Sequence, residues 1–263
     1  MKDPYRLKII PESRIATFDT FAAGMQKHHV AALLEFDVTE IRRRLQELRR
    51  QGTEVSFNGW LVATIAATLK QHPEAAAFLR GRKKLLLFDE VRVAFLVEKE
   101  FGGEKVPLPL VIHDAGRKSA VAITREIAEA LEREPGPGEK VLQRQTTFGE
   151  RLYYHLPGFL RRAVWNYLLR HPRAAYGKMG NVAITSVGMM GRINGWFIHR
   201  SVHPLSFGIG SVLRKPAVVG SEIRIREILN MTVLIDHDVI DGAPMVRFLN
   251  ELTKAVESGK YEV

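Results

Sequence analysis

Stretches with helical periodicity alternate with β-rich stretches along the first half of the chain. Apolar residues that recur every three or four positions mark the helices, and short apolar or β-branched runs between turn residues mark the strands. The strands are predicted over 27–38, 84–88, 91–97 and 106–113, and the helices over 37–52, 57–71 and 119–134. Pairs of helices between β-rich runs predict an α/β fold, a two-layer sandwich in which helices pack on one face of a mixed β-sheet.

The first of these helices carries signals at both ends. Asp37 followed by Glu40 forms a predicted capping box, and Gly52 is the predicted stop. An apolar stripe begins at Ile41, and the arginines beside it are interpreted as a solvated helix face.

Length and composition favour one domain of 263 residues over two small ones, since a hydrophobic content of 46% is ample for a single core. The absence of cysteine excludes disulfides, thiolate metal sites and cysteine nucleophiles. Residues 1–20 mix charged and apolar residues, which is typical of neither a signal peptide nor a membrane anchor, and no membrane span is predicted. A cytoplasmic location is therefore expected.

The formal charge of +10 points to nucleic acid, a membrane surface or a polyanionic small molecule as a partner. Because the charges look dispersed through the predicted helices, without clustered exposed aromatic residues, nucleic-acid binding is disfavoured. A metal site is disfavoured as well, since His28 and His29 are adjacent on a predicted strand and face opposite ways.

A basic amphipathic stretch runs from Phe148 to Lys178. Three interpretations are open: packing on its own domain with solvated arginines, docking of an acidic carrier domain, or binding to a membrane surface. The first is favoured because most such stripes face a core. The predicted apolar face consists of Phe159, Leu160, Ala163, Val164, Tyr167 and Leu168.

The C-terminal part holds the strongest candidate for chemistry. An apolar run at 231–235 leads into Asp236 and His237, and a helical pattern follows Gly242, so His237 is predicted at the end of a buried strand. With an ordinary pKa near ~6.5, a histidine held there can accept and return a proton at neutral pH.

A second candidate is the turn after the predicted strand 182–184, where Thr185 and Ser186 precede Gly188. Hydroxyl groups beside glycines commonly satisfy the backbone groups of a turn, and that explanation is preferred for these residues in isolation. A working hydroxyl becomes the better explanation only together with His237.

Three segments carry a resemblance to a known family. Residues 236–242 have the pattern D-H-x-x-x-D-G, residues 111–119 have V-I-x-x-A-x-x-K-S, and 181–191 form a strand followed by a hydroxyl turn. This combination resembles the catalytic domain of the dihydrolipoamide acyltransferases of 2-oxo acid dehydrogenase complexes, which are related to chloramphenicol acetyltransferase. Asp238 stands where the family usually has arginine.

The resemblance implies a chloramphenicol acetyltransferase-like fold and a set of site residues. His237 would be the general base, Thr185 would stabilise the tetrahedral oxyanion, and Asp241 would hold the loop around His237 by pairing with an arginine, for which Arg14 is the candidate. The predicted substrate-binding residues are Ser186, Gly188 and Ser211. The implied reaction moves an acyl group between coenzyme A and a thiol such as dihydrolipoamide, with no permanently bound cofactor.

The resemblance also implies a homotrimer with active sites at subunit interfaces, and a lipoyl group that arrives in trans on a carrier domain, with other components of a dehydrogenase complex as further partners. Larger shells are disfavoured because residues 257–263 are charged. Two other functions stay open. One is a non-catalytic trimeric assembly subunit, and the other is acetyl transfer from acetyl-CoA to a hydroxyl of a small acceptor.

Overall fold

A computed structural model describes residues 5–8, 14–101, 104–133, 148–188 and 191–259. A mixed sheet and eight α-helices make up most of this part of the chain. The helices are α1 (Arg14–Gly24), α2 (Thr39–Arg50), α3 (Phe57–Leu69), α4 (Ala120–Glu132), α5 (Phe148–His155), α6 (Gly158–Arg170), α7 (Pro172–Met179) and α8 (Gly242–Ser258). The strands are β1 (His29–Asp37), β2 (Phe78–Arg80), β3 (Lys84–Leu86), β4 (Val93–Phe101), β5 (Glu104–Ile112), β6 (Val182–Ser186), β7 (Leu205–Val219) and β8 (Glu222–Asp236).

Six strands form the main sheet, in the order β1-β8-β7-β6-β4-β5, and β2 pairs with β3 in a separate hairpin. β6 runs parallel to both β4 and β7, whereas the β1–β8, β7–β8 and β4–β5 pairs are antiparallel. The expected mixed sheet is therefore confirmed.

The core lies between this sheet and the helices α2, α3, α4 and α8. Fully buried aromatic residues from both layers meet there, including Phe36 and Phe207 from the sheet and Trp60 and Phe248 from the helices. α3 is apolar around most of its circumference, since it packs against both α4 and α8. A side chain at Gly59 would place its Cβ 2.2 Å from Thr124 Oγ1, so this glycine allows α3 to approach α4 closely.

Residues 205–236 form a long two-stranded hairpin. The structure has two fifteen-residue strands, β7 and β8, joined by a turn in which Gly220 has a φ of 64°. Pro216 lies inside β7 opposite Ile225. Residues 215–219 and 222–226 form a ribbon that extends past the ends of β6 and β1, so no third strand of the described chain pairs with it. The missing N–H of Pro216 is tolerated there because no neighbouring strand needs it.

The predicted capping box at the start of α2 is wrong. Val38 is the residue before the helix, and no side chain caps the helix there. Asp37 is instead the last residue of β1, and its carboxylate accepts hydrogen bonds from Thr39 N at 3.0 Å and from Arg226 Nε at 2.6 Å. The sequence could not indicate this because Arg226 is brought to Asp37 by the β1–β8 pairing.

α6 packs on its own chain against α1, as the preferred interpretation of the stretch 148–178 has it, but the expectation that its apolar stripe faces the core is wrong. No residue of α6 is buried in this chain, and Phe159 and Tyr167 of the predicted core-facing stripe are 62% and 55% exposed. α6 contacts α1 through a different side, on which Arg161 Nε lies 2.7 Å from Asp19 Oδ2. α7, in contrast, buries Ala175 and Tyr176 against Phe78.

Candidate active site

His237 lies in the short loop between β8 and α8, as the sequence predicts. β8 is buried from Leu229 to Asp236, and α8 begins at Gly242. The side chain of His237 is exposed, and its backbone N–H donates a hydrogen bond to His28 O at 3.0 Å. The imidazole is therefore presented to solvent from a fixed backbone.

The residues on both sides of His237 are tied to the two residues that precede β1. Lys27 Nζ lies 2.7 Å from Asp236 Oδ2, and Asp236 is fully buried. His28 Nδ1 lies 2.9 Å from Asp238 Oδ2 at a more exposed position. A buried carboxylate with one amine partner is costly to separate from it, so the Lys27–Asp236 pair fixes the loop more strongly than the His28–Asp238 pair.

Sequence reasoning missed Lys27 and His28. They meet the loop because β1 runs antiparallel to β8 with His29 opposite Asp236. Nothing in the local pattern at residues 27–29 indicates which strand will pair with it, so no sequence signal was present. Asp238, which was noted only as a replacement for arginine, is in this structure the partner of His28.

Thr185 and Ser186 close β6, and both are half-buried. After them the backbone N–H groups of Val187 and Gly188 both donate to Ile209 O, at 3.0 and 3.2 Å. A Cβ at Gly188 would lie 1.9 Å from Gly210 O, so only glycine fits at this crossing of the two strands.

Ser211 lies beside a bulge in β7, where the register with β8 shifts between Ile209 and Val212. Its hydroxyl donates to Gly191 O at 2.9 Å and accepts from Ile193 N at 3.0 Å. Both bonds hold the segment that follows the hydroxyl turn. Ser211 as a substrate-binding residue stays a prediction, and its contacts in this chain are those of a loop anchor.

One chain does not bring Thr185 and His237 together. Thr185 is level with Gly208, and Gly208 is opposite Thr232 in β8. His237 follows Thr232 by five residues, which corresponds to about 16 Å along a strand, and two strand spacings of about 4.8 Å each separate β6 from β8. The two groups are therefore too far apart to act on the same bond within one subunit.

Asp241 is the residue before α8, with an extended backbone and an exposed side chain that caps nothing. Among the described residues it forms no ion pair, so the predicted pair with Arg14 is not made inside one chain. The guanidinium of Arg14 lies 5.6 Å from the centre of the Phe18 ring instead.

Three further histidines that the sequence did not single out as a group lie close to one another beside the starts of β1 and β7. His29 Nε2 donates to His203 O at 2.9 Å, and His203 Nε2 donates to Met179 O at 3.0 Å. Burial lowers the pKa of His29, and it lowers the pKa values of His199 and His203 to about 4. These three side chains are therefore neutral at pH 7, and in the described part of the chain no group of three potential ligands could hold a metal ion.

A cavity of about 230 Å³ opens between the end of α3 and the start of β6. Leu69, Pro73, Phe88 and Asn181 are among its lining residues, and none of the predicted site residues is. No described helix is long and apolar enough to cross a membrane.

Residues 9–135 and 176–261 match the family model described as 2-oxoacid dehydrogenases acyltransferase (catalytic domain). The chain belongs to this family. The acyltransferase match is interrupted at 136–175, which overlaps the basic stretch that begins at Phe148.

Curated acyltransferases resemble the chain over most of its length. A dihydrolipoyllysine-residue acetyltransferase component of the pyruvate dehydrogenase complex from Mycobacterium tuberculosis is 26% identical over 239 residues, which is 87% of this chain and 36% of that protein. The chain thus spans about a third of this curated acyltransferase relative.

Solved structures agree with the acyltransferase fold. A structure of Azotobacter vinelandii dihydrolipoamide acetyltransferase, determined to study the roles of a serine, a histidine and an asparagine in its catalytic mechanism, has a TM-score of 0.71 at 19% identity and covers 98% of this chain and 95% of its own. A chloramphenicol acetyltransferase has a TM-score of 0.53 at 13% identity, covering 95% and 98% of the two chains. The expected chloramphenicol acetyltransferase-like fold is confirmed.

Proposed function

We propose that this protein is an acyltransferase that moves an acyl group between coenzyme A and the thiol of a dihydrolipoyl group. The names of its relatives support this, because they transfer acetyl groups to a dihydrolipoyllysine residue or act as lipoamide acyltransferases. A dihydrolipoyllysine residue is a lipoyl group on a lysine side chain, so the proposed acceptor is a protein-bound thiol.

His237 is the proposed general base. A thiol with a pKa near ~8.5 is mostly protonated at neutral pH, so transfer needs a base that removes the proton as the sulfur attacks the thioester carbonyl. The observation that carries the proposal is the fixed backbone around His237, where its N–H bonds to His28 O and the preceding Asp236 bonds to Lys27. The exposed imidazole has no competing partner among the described residues.

Thr185 is the proposed donor to the oxyanion that forms on the carbonyl oxygen. A hydroxyl in this role is worth about 3–4 kcal/mol where one such donor has been removed from other enzymes. Ser186 and Gly188 are the proposed neighbours of the substrate at the same turn, with Ser211 supporting the segment behind it. No acyl-enzyme intermediate is needed, because the acceptor thiol attacks directly.

A homotrimer with one site at each subunit interface is part of the proposal. The separation of Thr185 from His237 within one chain supports it, because a second subunit must supply the missing group. Asp241, exposed and without an ion pair in the described part of one chain, would also find its arginine there. Whether trimers assemble further rests on residues 257–263, of which 260–263 lie outside the described residues.

A non-catalytic assembly subunit is the second candidate. Asp238 pairs with His28 where the family usually has arginine, and this observation favours it. Acetyl transfer to a small hydroxyl acceptor has no comparable support in the contacts of this chain.

The deciding experiment measures acyl transfer from acetyl-, propionyl- and branched-chain acyl-CoA to dihydrolipoamide. His237→Ala is expected to lower kcat by about a hundredfold or more, the effect of removing a positioned base. His155→Ala, which changes an exposed histidine on α5, is the matched control and should keep full turnover. A folded protein that turns over none of the donors would refute the acyltransferase and favour the assembly subunit.

A further inference from the structure

The net positive charge of the chain is concentrated in one part of the sequence. Lys and Arg number 39 against 29 Asp and Glu, and residues 151–221 contain ten Lys or Arg and no acidic residue. The rest of the chain holds 29 Lys or Arg and 29 Asp or Glu, so the basic residues are dispersed as predicted and only the net charge is concentrated. The ten residues are Arg151, Arg161, Arg162, Arg170, Arg173, Lys178, Arg192, Arg200, Arg214 and Lys215.

One side of α6 anchors this basic region to the protein. Arg161 Nε bonds to Asp19 Oδ2 of α1 at 2.7 Å, and Arg161 is only 19% exposed. Trp165 Nε1 donates to Tyr153 Oη at 2.9 Å, and Tyr153 Oη donates to the same Asp19 carboxylate. The orientation of α6 about its own axis is therefore fixed by polar contacts.

The opposite side of α6 faces solvent. Its residues are spaced by three and four positions, so they form one continuous stripe, which we call the arginine–aromatic face. It consists of Phe159, Arg162, Ala163, Asn166, Tyr167 and Arg170. Among the described residues, the guanidinium groups of Arg162 and Arg170, and of Arg173 at the start of α7, have no carboxylate partner.

The composition of this face favours a protein partner over a membrane. Exposed aromatic side chains next to arginine are the residues most enriched at protein interfaces. Leu160 and Val164 of α6 are exposed as well, at 40% and 38%, so its apolar side adjoins Arg162 and Arg170. A helix that lies in a membrane surface instead carries its basic residues on the face turned away from the apolar one. Arginines without a carboxylate partner in their own chain are complementary to an acidic partner surface.

Three consecutive residues connect this face to the loop of His237. Gln26 Nε2 contacts Asn166 Oδ1 at 3.4 Å, Lys27 pairs with Asp236, and His28 pairs with Asp238. Three extended residues span at most about 10 Å. A domain docked on α6 would therefore lie on the side of the molecule that carries the loop of His237.

We infer that the arginine–aromatic face of α6 is the docking surface for the acidic protein domain that carries the dihydrolipoyl group. This inference rests on the proposed function, since a thiol on a lysine side chain reaches His237 only when its domain is held nearby. Docking places the thiol of the dihydrolipoyl group next to His237. The charge pairs determine the encounter rate and the apparent affinity for the domain, and they do not change the rate of the chemical step.

The test compares two acceptors with acetyl-CoA as donor: a purified, reduced lipoyl domain of net negative charge, and free dihydrolipoamide. In Arg162→Glu/Arg170→Glu, KM for the domain is expected to rise by about tenfold or more, while kcat and KM for free dihydrolipoamide stay unchanged. Arg49→Glu/Arg50→Glu on α2 makes the same charge change on a helix that contacts α8 and β8, and should leave both acceptors unaffected. Arg162→Gln/Arg170→Gln, checked by circular dichroism, should give an intermediate KM.

Binding is also measured without turnover, by fluorescence anisotropy of a labelled lipoyl domain. Lack of turnover with both acceptors would refute the proposed function, but arginine-dependent binding of the domain would still support the docking surface. Unchanged binding in the charge-reversed variant would overturn it. Arginine-dependent binding to vesicles of phosphatidylcholine and phosphatidylglycerol, without binding of the domain, would also overturn it and assign the face to a membrane. A change of oligomeric state in the charge-reversed variant would overturn it as well and assign the face to a second copy of the chain.

Discussion

Lys27 Nζ lies 2.7 Å from Oδ2 of Asp236, the residue immediately before His237, and Asp236 is fully buried. The pair joins the start of β1 to the end of β8, where the backbone N–H of His237 also bonds to His28 O. The position of the proposed base therefore depends on a residue more than two hundred positions earlier in the chain.

Removing the side-chain amine of Lys27 should destabilise the loop that holds His237. Lys27→Met leaves a buried carboxylate without its partner, which is expected to cost about 3–5 kcal/mol of unfolding free energy and to lower kcat. His28→Ala removes the neighbouring pair, in which His28 is 75% exposed, and is expected to cost under about 1 kcal/mol. Urea unfolding measures both, and equal losses in the two variants would contradict the ranking.

Subunit complementation tests whether a site is shared between chains. The His237→Ala and Thr185→Val variants should each be inactive or nearly so with acyl-CoA and dihydrolipoamide. Subunits of the two variants, unfolded together and refolded as a mixture, should regain a substantial part of the activity, because some interfaces then hold an intact His237 and an intact Thr185. Activity in the mixture no higher than in the separate variants would place both groups in one subunit and contradict the distance deduced from the strand register.

Acidification should weaken the fold. Burial lowers the pKa values of His199 and His203 to about 4 in the folded protein, against an ordinary value of 6.5. Between these values the unfolded chain binds more protons, so the free energy of unfolding decreases as the pH falls from about 6.5 to about 4, by on the order of 3 kcal/mol for the fully buried His203. Above pH 6.5 the stabilisation is fully present.

Urea unfolding at a series of pH values measures this slope. His203→Gln retains a side-chain N–H for Met179 O but does not titrate, and should flatten the slope. The exposed His155→Gln serves as the control and should retain the slope of the wild type. A slope that is the same in all three proteins would contradict the assignment.

The crossing of β6 and β7 should tolerate no side chain at Gly188. Gly188→Ala places a Cβ 1.9 Å from Gly210 O, a backbone atom that cannot move without disturbing β7. Overpacking of this kind is expected to cost about 1–3 kcal/mol and to lower turnover by displacing Thr185. Gly191→Ala is the matched control, since nothing lies within 4 Å of its Cβ. Thermal unfolding and the acyl-transfer assay measure both variants, and equal losses in the two would contradict this expectation.

Local patterns predicted the elements of the fold well where each element carries its own signal. The strand that ends at Asp236, the helix after Gly242 and the helix between Phe57 and Leu69 all have unbroken apolar periodicity. Pro216 is accommodated inside β7 because it lies beyond the part of β7 that pairs with β6.

Long-range partners escaped sequence reasoning for a physical reason. The contacts of Asp37 with Arg226 and of Lys27 with Asp236 depend on strand register, which local periodicity does not contain. In α6 periodicity indicated a stripe but not which side would face the protein, and the Arg161–Asp19 pair decided that.

The ribbon of 215–219 and 222–226 leaves two open edges, since in the described chain these residues pair only with each other. Open edges with exposed Val218, Ile223 and Ile225 are templates for adding strands from other molecules. Glu222 pairs with Arg224 and Arg226 pairs with Asp37, so the repulsion that opposes such addition comes from the formal charge of +10 of the whole chain. Colloidal stability should therefore be lowest in concentrated salt, where screening weakens the charge repulsion that keeps the ribbons of two molecules from pairing.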